Sequence, residues 1–294
     1  MYNYKKSEAS ISAEKVLRRK HIIIRTMAMI ILVITAVVNL LPFVWGALTS
    51  LKPARELMLY PPKLFGSRIS SEHYISVLSG SFSQAALNSM IYSILAIIVG
   101  ILFAVMCGYG MTRFKFRGRR FMFYLILAGI PLASGSAAMV VPNYMMFSSL
   151  KMINRWYTLP IIYVTYNLPM AAWIVCGGMR AVPYAIEEAA QIDGASRGYM
   201  IFRLLPRLTL PTLACAALMI FIGAWNEFTI STMLVNSSTL YPIQVSIYNY
   251  IGYFGREWGP LTAAATLAVI PILIVFTFLG RFLISGLTAG AVKE

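Results

Sequence analysis

The sequence has little charge, and negative charge is the scarcer kind. Only 12% of the 294 residues are charged, with 10 Asp and Glu against 25 Lys and Arg, while 59% are hydrophobic. Soluble domains carry about 25% charged residues, so this composition excludes a soluble enzyme, a disordered tail and a nucleic-acid-binding domain. The mean hydropathy of +0.73 has the sign expected of a surface that faces lipid. The sequence therefore predicts an integral membrane protein, whose net charge of +15 reflects Lys and Arg in cytoplasmic loops.

Residues that bind metals or form disulfides are also scarce. The three cysteines lie inside apolar runs and the two histidines stand alone, so we expect neither a disulfide framework nor a metal site. The sequence lacks the G-x-x-x-x-G-K-[ST] loop that cradles nucleotide phosphates. We therefore predict no catalytic residues, no cofactor bound by this chain and no ATP hydrolysis by this chain alone.

Long apolar runs are what the sequence has in abundance. A membrane-spanning helix needs about 20 mostly apolar residues, and six windows without Asp, Glu, Lys or Arg approach or exceed that length. They are residues 26–51, 74–112 (with the span beginning at about residue 87), 121–150, 156–179, 208–226 and 258–280. The uncharged stretch 228–255 is interrupted by Asn, Ser and Pro, so we assign it to an outer loop. The predicted fold class is an all-α integral membrane protein with six transmembrane helices.

The distribution of basic residues predicts the orientation. If both termini are cytoplasmic, the inner segments hold 18 Lys and Arg and the outer segments hold seven. Such an excess on one side marks the cytoplasmic face. The resulting domains are a basic cytoplasmic tail (1–24), the first transmembrane helix (25–51), an outer segment (52–86), a core of five helices (87–284) and a cytoplasmic tail (285–294).

One inner segment of the core, residues 181–206, is too polar for lipid but has helical order; we call it the hairpin segment. Pro183 suits a first helical position, and Asp193 with Gly194 supplies a stop. Ser196 is placed to cap a second short helix, which Pro206 is expected to end. The pattern alone predicts a helix–turn–helix at the inner membrane surface and leaves open whether it merely lies on the lipid headgroups.

The hairpin segment contains a distinctive motif, which we call the predicted docking run. Its residues, which are not all consecutive, are Glu188, Ala189, Ala190, Asp193, Gly194, Ala195, Phe202 and Pro206. This run resembles the EAA loop of permease subunits in bacterial ABC importers. Further stretches are similar to MalG-type permeases of carbohydrate importers, in the family of binding-protein-dependent transport inner-membrane components. They are residues 50–57, 88–89, 109–120, 225–227 and 286–293.

The resemblance implies the type I permease fold of ABC importers and a division of labour among subunits. The transporter would also contain a second homologous permease, two ATP-binding subunits that use ATP and magnesium, and an external, periplasmic solute-binding protein. The run named above would dock on an ATP-binding subunit, with Glu188 paired to a basic residue and Gly194 permitting the turn. The tail residues that would extend toward the interface of the two ATPases are Gly286, Leu287, Thr288, Ala289 and Gly290.

The resemblance also implies a carbohydrate substrate, most simply a di- or oligosaccharide. Neutral sugars, acidic glycans such as uronide oligomers, and glycerol-phosphate-type solutes all stay open. Aromatic and amide side chains suit sugar rings and hydroxyls, and the candidates for the path are Asn88, Tyr144, Tyr163, Tyr166, Asn167, Trp173, Trp225 and Asn226. For each aromatic residue, packing or an interfacial position is the alternative. Glu227, at the outer end of the fifth span, is expected to make a structural or gating contact.

The outer loop (residues 236–258) is rich in aromatic residues, which suit contact with a soluble partner. The candidates for contact with the binding protein are Tyr248, Asn249, Tyr250, Tyr253 and Phe254. A loop packed on its own bundle is the alternative. For the whole chain, the alternative function is an ion-coupled secondary transporter or channel, which should carry ionisable residues at mid-membrane; the predicted spans contain none.

Overall fold

The computed structural model describes residues 8–61, 63–133, 137–252 and 255–288, and these ranges are mostly helical. The helices are α1 (Glu8–Ser50), α2 (Glu72–Ser79), α3 (Phe82–Arg113), α4 (Arg119–Ala133), α5 (Ala137–Ser149), α6 (Thr158–Ala181), α7 (Tyr184–Ile192), α8 (Arg197–Tyr199), α9 (Leu205–Leu208), α10 (Leu210–Trp225), α11 (Ser231–Leu234), α12 (Ile243–Tyr248) and α13 (Trp258–Thr288). A π-helical turn, Met200–Leu204, joins α8 to α9. Two short antiparallel strands, β1 (Ile251–Gly252) and β2 (Gly255–Arg256), pair in the outer loop.

Four of the predicted spans are single helices of sufficient length and apolarity among the described residues. These stretches are Lys20–Ser50, Phe82–Arg113, Thr158–Ala181 and Trp258–Gly280. The fifth predicted span is α10, which is bent by 86° from the helical segment Arg197–Leu208. The third predicted span corresponds to α4 and α5, on either side of residues 134–136. Each of these two helices, with 15 and 13 residues, is shorter than the roughly 20 residues that cross a bilayer.

The two predicted tails are partly helical. Helix α1 begins at Glu8 and runs without a break into the first span. At the other end, α13 continues to Thr288, so the backbone at Gly286, Leu287 and Thr288 forms the last helical turn. Ala289 and Gly290 lie outside the described residues.

The core is built around α3, α6 and α10, which approach closely at small residues. A Cβ atom added at Gly108 of α3 would lie 2.8 Å from Val175 Cγ1 of α6, and one added at Gly178 of α6 would clash with the Thr212 side chain of α10. Small residues at such contacts let backbones pack where lipid supplies no hydrophobic drive for helix association. These three helices form the frame from which the hairpin segment projects.

The hairpin segment folds as the sequence predicts at its turn and differs at its end. Ser196 Oγ accepts a hydrogen bond from the Tyr199 N–H at 3.3 Å, which confirms the predicted cap. The prediction that Pro206 ends the second helix is wrong, because the helix continues to Leu208 and breaks at Thr209. In the preceding π-helical turn, the Leu205 N–H bonds to the Met200 carbonyl, five residues back. This wider turn gives the proline ring room, and Pro206 at the start of α9 has no N–H to lose.

Candidate functional site

The tip of the hairpin segment is a rigid turn. Helix α7 ends at Ile192, and Gly194 has a φ of +86°, a left-handed conformation that favours glycine. The Ala195 N–H bonds to the Ala190 carbonyl at 2.9 Å, and the Gly194 N–H bonds to the Gln191 carbonyl at 3.0 Å. These two bonds form a Schellman motif. The predicted stop at Asp193 and Gly194 is therefore confirmed.

The residues beside this turn form an exposed surface of mixed character. Glu188 and Ala189 are exposed, and Ile192 and Phe202 retain 87% and 53% of their accessible surface. Large apolar side chains exposed on an otherwise polar segment are typical of a contact surface. Of the other residues in the predicted docking run, Asp193 and Gly194 are exposed, and Ala190, Ala195 and Pro206 are half-buried.

The root of the hairpin segment is held by an ion pair that the sequence analysis missed. Arg113 Nε, at the inner end of α3, donates to Glu187 Oε1 at 2.5 Å, and the two side chains are only 5% and 6% exposed. We call this pair the inner joint. Removing one partner of such a pair leaves the other charge buried, which costs about 3–5 kcal/mol. The two residues are 74 positions apart, so no local spacing in the sequence connects them.

Three further contacts surround the inner joint. Arg113 Nη2 donates to the Val182 carbonyl at 3.0 Å, and its guanidinium lies 4.4 Å from the centre of the Tyr184 ring. The Tyr184 hydroxyl donates to the Thr112 carbonyl at 2.7 Å. The start of α7 is therefore fixed to the end of α3 through side chains from both helices.

Two of the path candidates are core residues in this conformation. Tyr163 and Trp225 are each 1% exposed. The Tyr163 hydroxyl lies 2.8 Å from Ser231 Oγ, and Trp225 Nε1 donates to the Ala268 carbonyl at 3.2 Å. Their rings are therefore not available for stacking on a sugar unless the helices move apart.

The amide candidates have partners within the protein. Asn88 Nδ2 donates to the Thr239 and Tyr241 carbonyls at 2.9 and 3.1 Å. Asn167 Nδ2 donates to the Tyr163 carbonyl at 2.8 Å. The Asn167 side chain packs directly against Gly223. Asn88 thus holds the outer loop, whereas Asn167 lies between α6 and α10.

The other path candidates are more exposed. Tyr166 accepts a hydrogen bond from Asn143 Nδ2 at 2.8 Å, which joins α5 to α6. Tyr144 and Trp173 are 43% and 46% exposed. Asn226 is exposed at the outer end of α10, where its Nδ2 donates to the Ile222 carbonyl at 3.0 Å.

A groove of about 630 Å³ lies between α3, α4 and α6. Thr165 is the one hydroxyl-bearing residue among those that line it, and its Oγ1 bonds to the Ile161 carbonyl of its own helix. A groove without free polar groups suits hydrocarbon rather than a sugar, so we do not assign the substrate path to it.

Glu227 makes the structural contact that the sequence analysis expects. Its carboxylate accepts hydrogen bonds from the Ile230 N–H at 2.8 Å, the Ser231 N–H at 3.1 Å and the Ser231 hydroxyl. Burial raises the pKa of the Glu227 carboxyl, and these hydrogen bonds oppose the shift. The Ser231 hydroxyl also contacts Tyr163, so Glu227 fixes α11 against α6.

The outer-loop candidates are partly exposed. Tyr248 is 52% exposed and its ring lies 5.1 Å from that of Phe228. Asn249 is exposed and Tyr250 is half-buried, whereas Tyr253 and Phe254 lie outside the described residues. No group of three or more His, Cys, Asp or Glu residues that would hold a metal ion occurs in the part of the chain that the structure describes.

The sequence is similar to those of known transport proteins. Residues 96–288 match the family model described as "Binding-protein-dependent transport system inner membrane component". The diacetylchitobiose uptake system permease protein DasC of Streptomyces coelicolor is 31% identical over 255 residues, covering 86% of this chain and 91% of that protein. The trehalose/maltose transport system permease protein MalG of Thermococcus litoralis is 29% identical over 281 residues, covering 94% and 99%.

The fold has a counterpart among solved structures. A chain in the crystal structure of a bacterial ABC transporter that imports the acidic polysaccharide alginate superposes with a TM-score of 0.75 at 19% sequence identity, covering 90% of this chain and 97% of that chain. The predicted all-α fold of an ABC importer permease is therefore confirmed.

The helical membrane fold with a projecting hairpin defines this protein as a membrane-embedded transport subunit. The chain belongs to the family of inner membrane components of binding-protein-dependent transport systems. It is accordingly the permease and not the ATPase of its system, as the sequence predicts, and the alternative of an ion-coupled secondary transporter is set aside.

Proposed function

We propose that this chain is the permease subunit of an ATP-driven importer of di- or oligosaccharides. The observation that carries the proposal is the hairpin segment, which combines an exposed tip, an exposed carboxylate at Glu188 and a root fixed to α3. The buried ion pair gives this segment a connection to α3 through which force from a partner subunit can pass. A segment that merely lies on headgroups has no use for such a connection.

The partners follow from this assignment. The hairpin segment docks on one of two ATP-binding subunits, which use ATP and magnesium, and a second homologous permease completes the membrane path. Glu188 pairs with a basic residue of the ATP-binding subunit, while Ala189 and Ala190 permit close approach. We assign contact with the interface of the two ATPases to the tail residues Gly286, Leu287, Thr288, Ala289 and Gly290.

The outer surface receives the solute-binding protein. The exposed Tyr248 and Asn249 and the half-buried Tyr250 present aromatic and amide groups beyond the membrane span, as partner-binding surfaces commonly do. We propose the same role for Tyr253 and Phe254. The sugar then passes along α6 and α10, where Asn167, Tyr166 and Asn226 offer polar groups once the helices separate.

The substrate class is supported by the relatives, whose names specify diacetylchitobiose and trehalose or maltose. We expect the reconstituted complex of both permeases and the ATP-binding subunits to hydrolyse ATP several-fold faster when its binding protein carries an oligosaccharide. ATP hydrolysis in lipid nanodiscs measures this, with neutral oligomers and uronide oligomers as separate arms. Stimulation by amino acids or metal ions, with no response to any glycan, would contradict the substrate class and leave the permease assignment intact.

We also propose that both termini and the hairpin segment are cytoplasmic, because the excess of Lys and Arg lies on that side. The test uses single cysteines at two exposed positions, Gly198→Cys in the hairpin segment and Ser238→Cys in the outer loop, with the three native cysteines replaced by Ala. A membrane-impermeant maleimide should label Ser238→Cys in intact cells and Gly198→Cys only after permeabilisation. The reverse pattern would invert the orientation.

A further inference from the structure

Helix α3 is fixed at both of its ends to segments that contact other subunits in the proposed transporter. At the inner end lies the inner joint between Arg113 and Glu187. At the outer end, Ser89 Oγ accepts a hydrogen bond from the Ile243 N–H at 2.7 Å, and the Tyr92 hydroxyl donates to the Leu240 carbonyl at 3.2 Å. One helix therefore connects the hairpin segment with the outer loop.

The helix is built to move as one body. It contains no proline, and its 32 residues correspond to a length of about 48 Å at 1.5 Å per residue. The other long helices α1, α6 and α13 contain Pro42, Pro169 and Pro271 within their length. Proline removes a backbone hydrogen bond and is the common cause of kinks, so α3 lacks the feature that most often bends a helix and that α1, α6 and α13 each carry.

The hairpin segment is covalently connected to α6 and α10, but through a change of chain direction in each case. Its first arm joins α6 through Val182 and Pro183, both with extended backbone angles (ψ of 120° and 140°). Its second arm reaches α10 through the 86° bend at Thr209. Both connections are places where the chain changes direction. The inner joint, in contrast, brings the hairpin segment into buried side-chain contact with α3.

We propose that α3 transmits movement of the hairpin segment to the outer loop, with Arg113 and Glu187 as positioning residues at its inner end. This inference rests on the proposed docking of the hairpin segment to an ATP-binding subunit. When the docked subunit moves, the inner joint carries α3 with it. The bonds from Ser89 and Tyr92 then displace the outer loop, where the binding protein sits. Events at the two faces of the membrane are thereby coupled.

The test removes the side-chain contacts at one end of α3 or at the other and compares the effects, which should be the same. Arg113→Met and Glu187→Gln disrupt the inner joint, and the double variant Ser89→Ala with Tyr92→Phe removes the outer bonds. Arg117→Met, an exposed basic residue beyond the end of α3, is the matched control. For each variant, the measurement is the ratio of ATP hydrolysis with loaded binding protein to hydrolysis without it, per assembled complex.

We expect this ratio to fall about tenfold in the inner and outer variants, in the range of allosteric coupling between distant sites, and to stay at the wild-type value in Arg117→Met. Residues with a merely structural role would lower the amount of complex without changing the ratio for the complex that forms. A wild-type ratio in the assembled inner or outer variants overturns the inference. Lack of stimulation in the wild-type complex itself would instead contradict the proposed function.

Discussion

Replacing Glu188 with Lys should abolish transport while the chain still inserts into the membrane in normal amounts. Glu188 is exposed on α7, so its reversal leaves the fold of the chain intact. On a docked ATP-binding subunit, the new ammonium group would face the basic residue that the carboxylate is proposed to pair with. Loss of one partner in a buried charge pair costs about 2–5 kcal/mol, so affinity should fall by more than about 30-fold. Substrate uptake and co-purification of the ATP-binding subunits measure the two effects.

Two further variants make this test specific. Glu188→Gln removes the charge without reversing it and should give an intermediate loss. Glu257→Lys makes the same reversal at another exposed glutamate, one just before α13 in the outer loop, and should keep its ATP-binding subunits. Normal uptake and co-purification in Glu188→Lys would mean that the carboxylate makes no ion pair with the partner.

The second large effect is expected at Gly194. A Cβ atom at this position would have no atom within 4 Å, yet the φ of +86° is one that L side chains rarely adopt. The effect of Gly194→Val is therefore backbone strain rather than a clash. Left-handed geometry costs about 1–2 kcal/mol for an ordinary residue and more for a β-branched one. The turn should rearrange, displace Ile192 from the docking surface and reduce uptake at least several-fold.

The control at this position is Gly194→Asn, because asparagine tolerates the left-handed region. We expect Gly194→Asn to transport close to the wild-type rate and Gly194→Val to show faster proteolytic cleavage in the hairpin segment. Equal uptake by the two variants would indicate that the left-handed turn is not needed for docking.

Two adjacent glutamates in the hairpin segment have opposite surroundings. Glu187 is buried and paired with Arg113, whereas Glu188 is exposed. Successive residues on an α-helix point about 100° apart because a turn contains 3.6 residues. Helix α7 therefore presents one carboxylate to its own protein and the next to the exposed surface, where the ATP-binding subunit is proposed to dock. Variants at the two positions should separate the transmission of movement from docking.

Features that depend on residues close together in the chain could be predicted from the sequence. The apolar runs predict the spans because the thickness of the bilayer sets their length. The stop at Gly194 and the cap at Ser196 are predicted because their hydrogen bonds join residues within five positions of each other. The residues from Glu188 to Pro206 likewise carry the resemblance to permeases of ABC importers, because they lie close together in the chain.

The contacts between residues far apart in the chain could not be predicted without the packing of the helices. Arg113 and Glu187 are 74 positions apart, and Ser89 and Ile243 are 154 apart, so their contacts depend on how α3 packs. In a membrane protein, apolar side chains face lipid as well as the core, so the pattern of the sequence does not separate the two. For this reason the sequence did not reveal that Tyr163 and Trp225, which were chosen as path residues by residue type, are core residues in this conformation. The sequence located the segment that is proposed to dock on the ATPase, and the packing of the helices decided that this segment is joined to α3 by a buried ion pair.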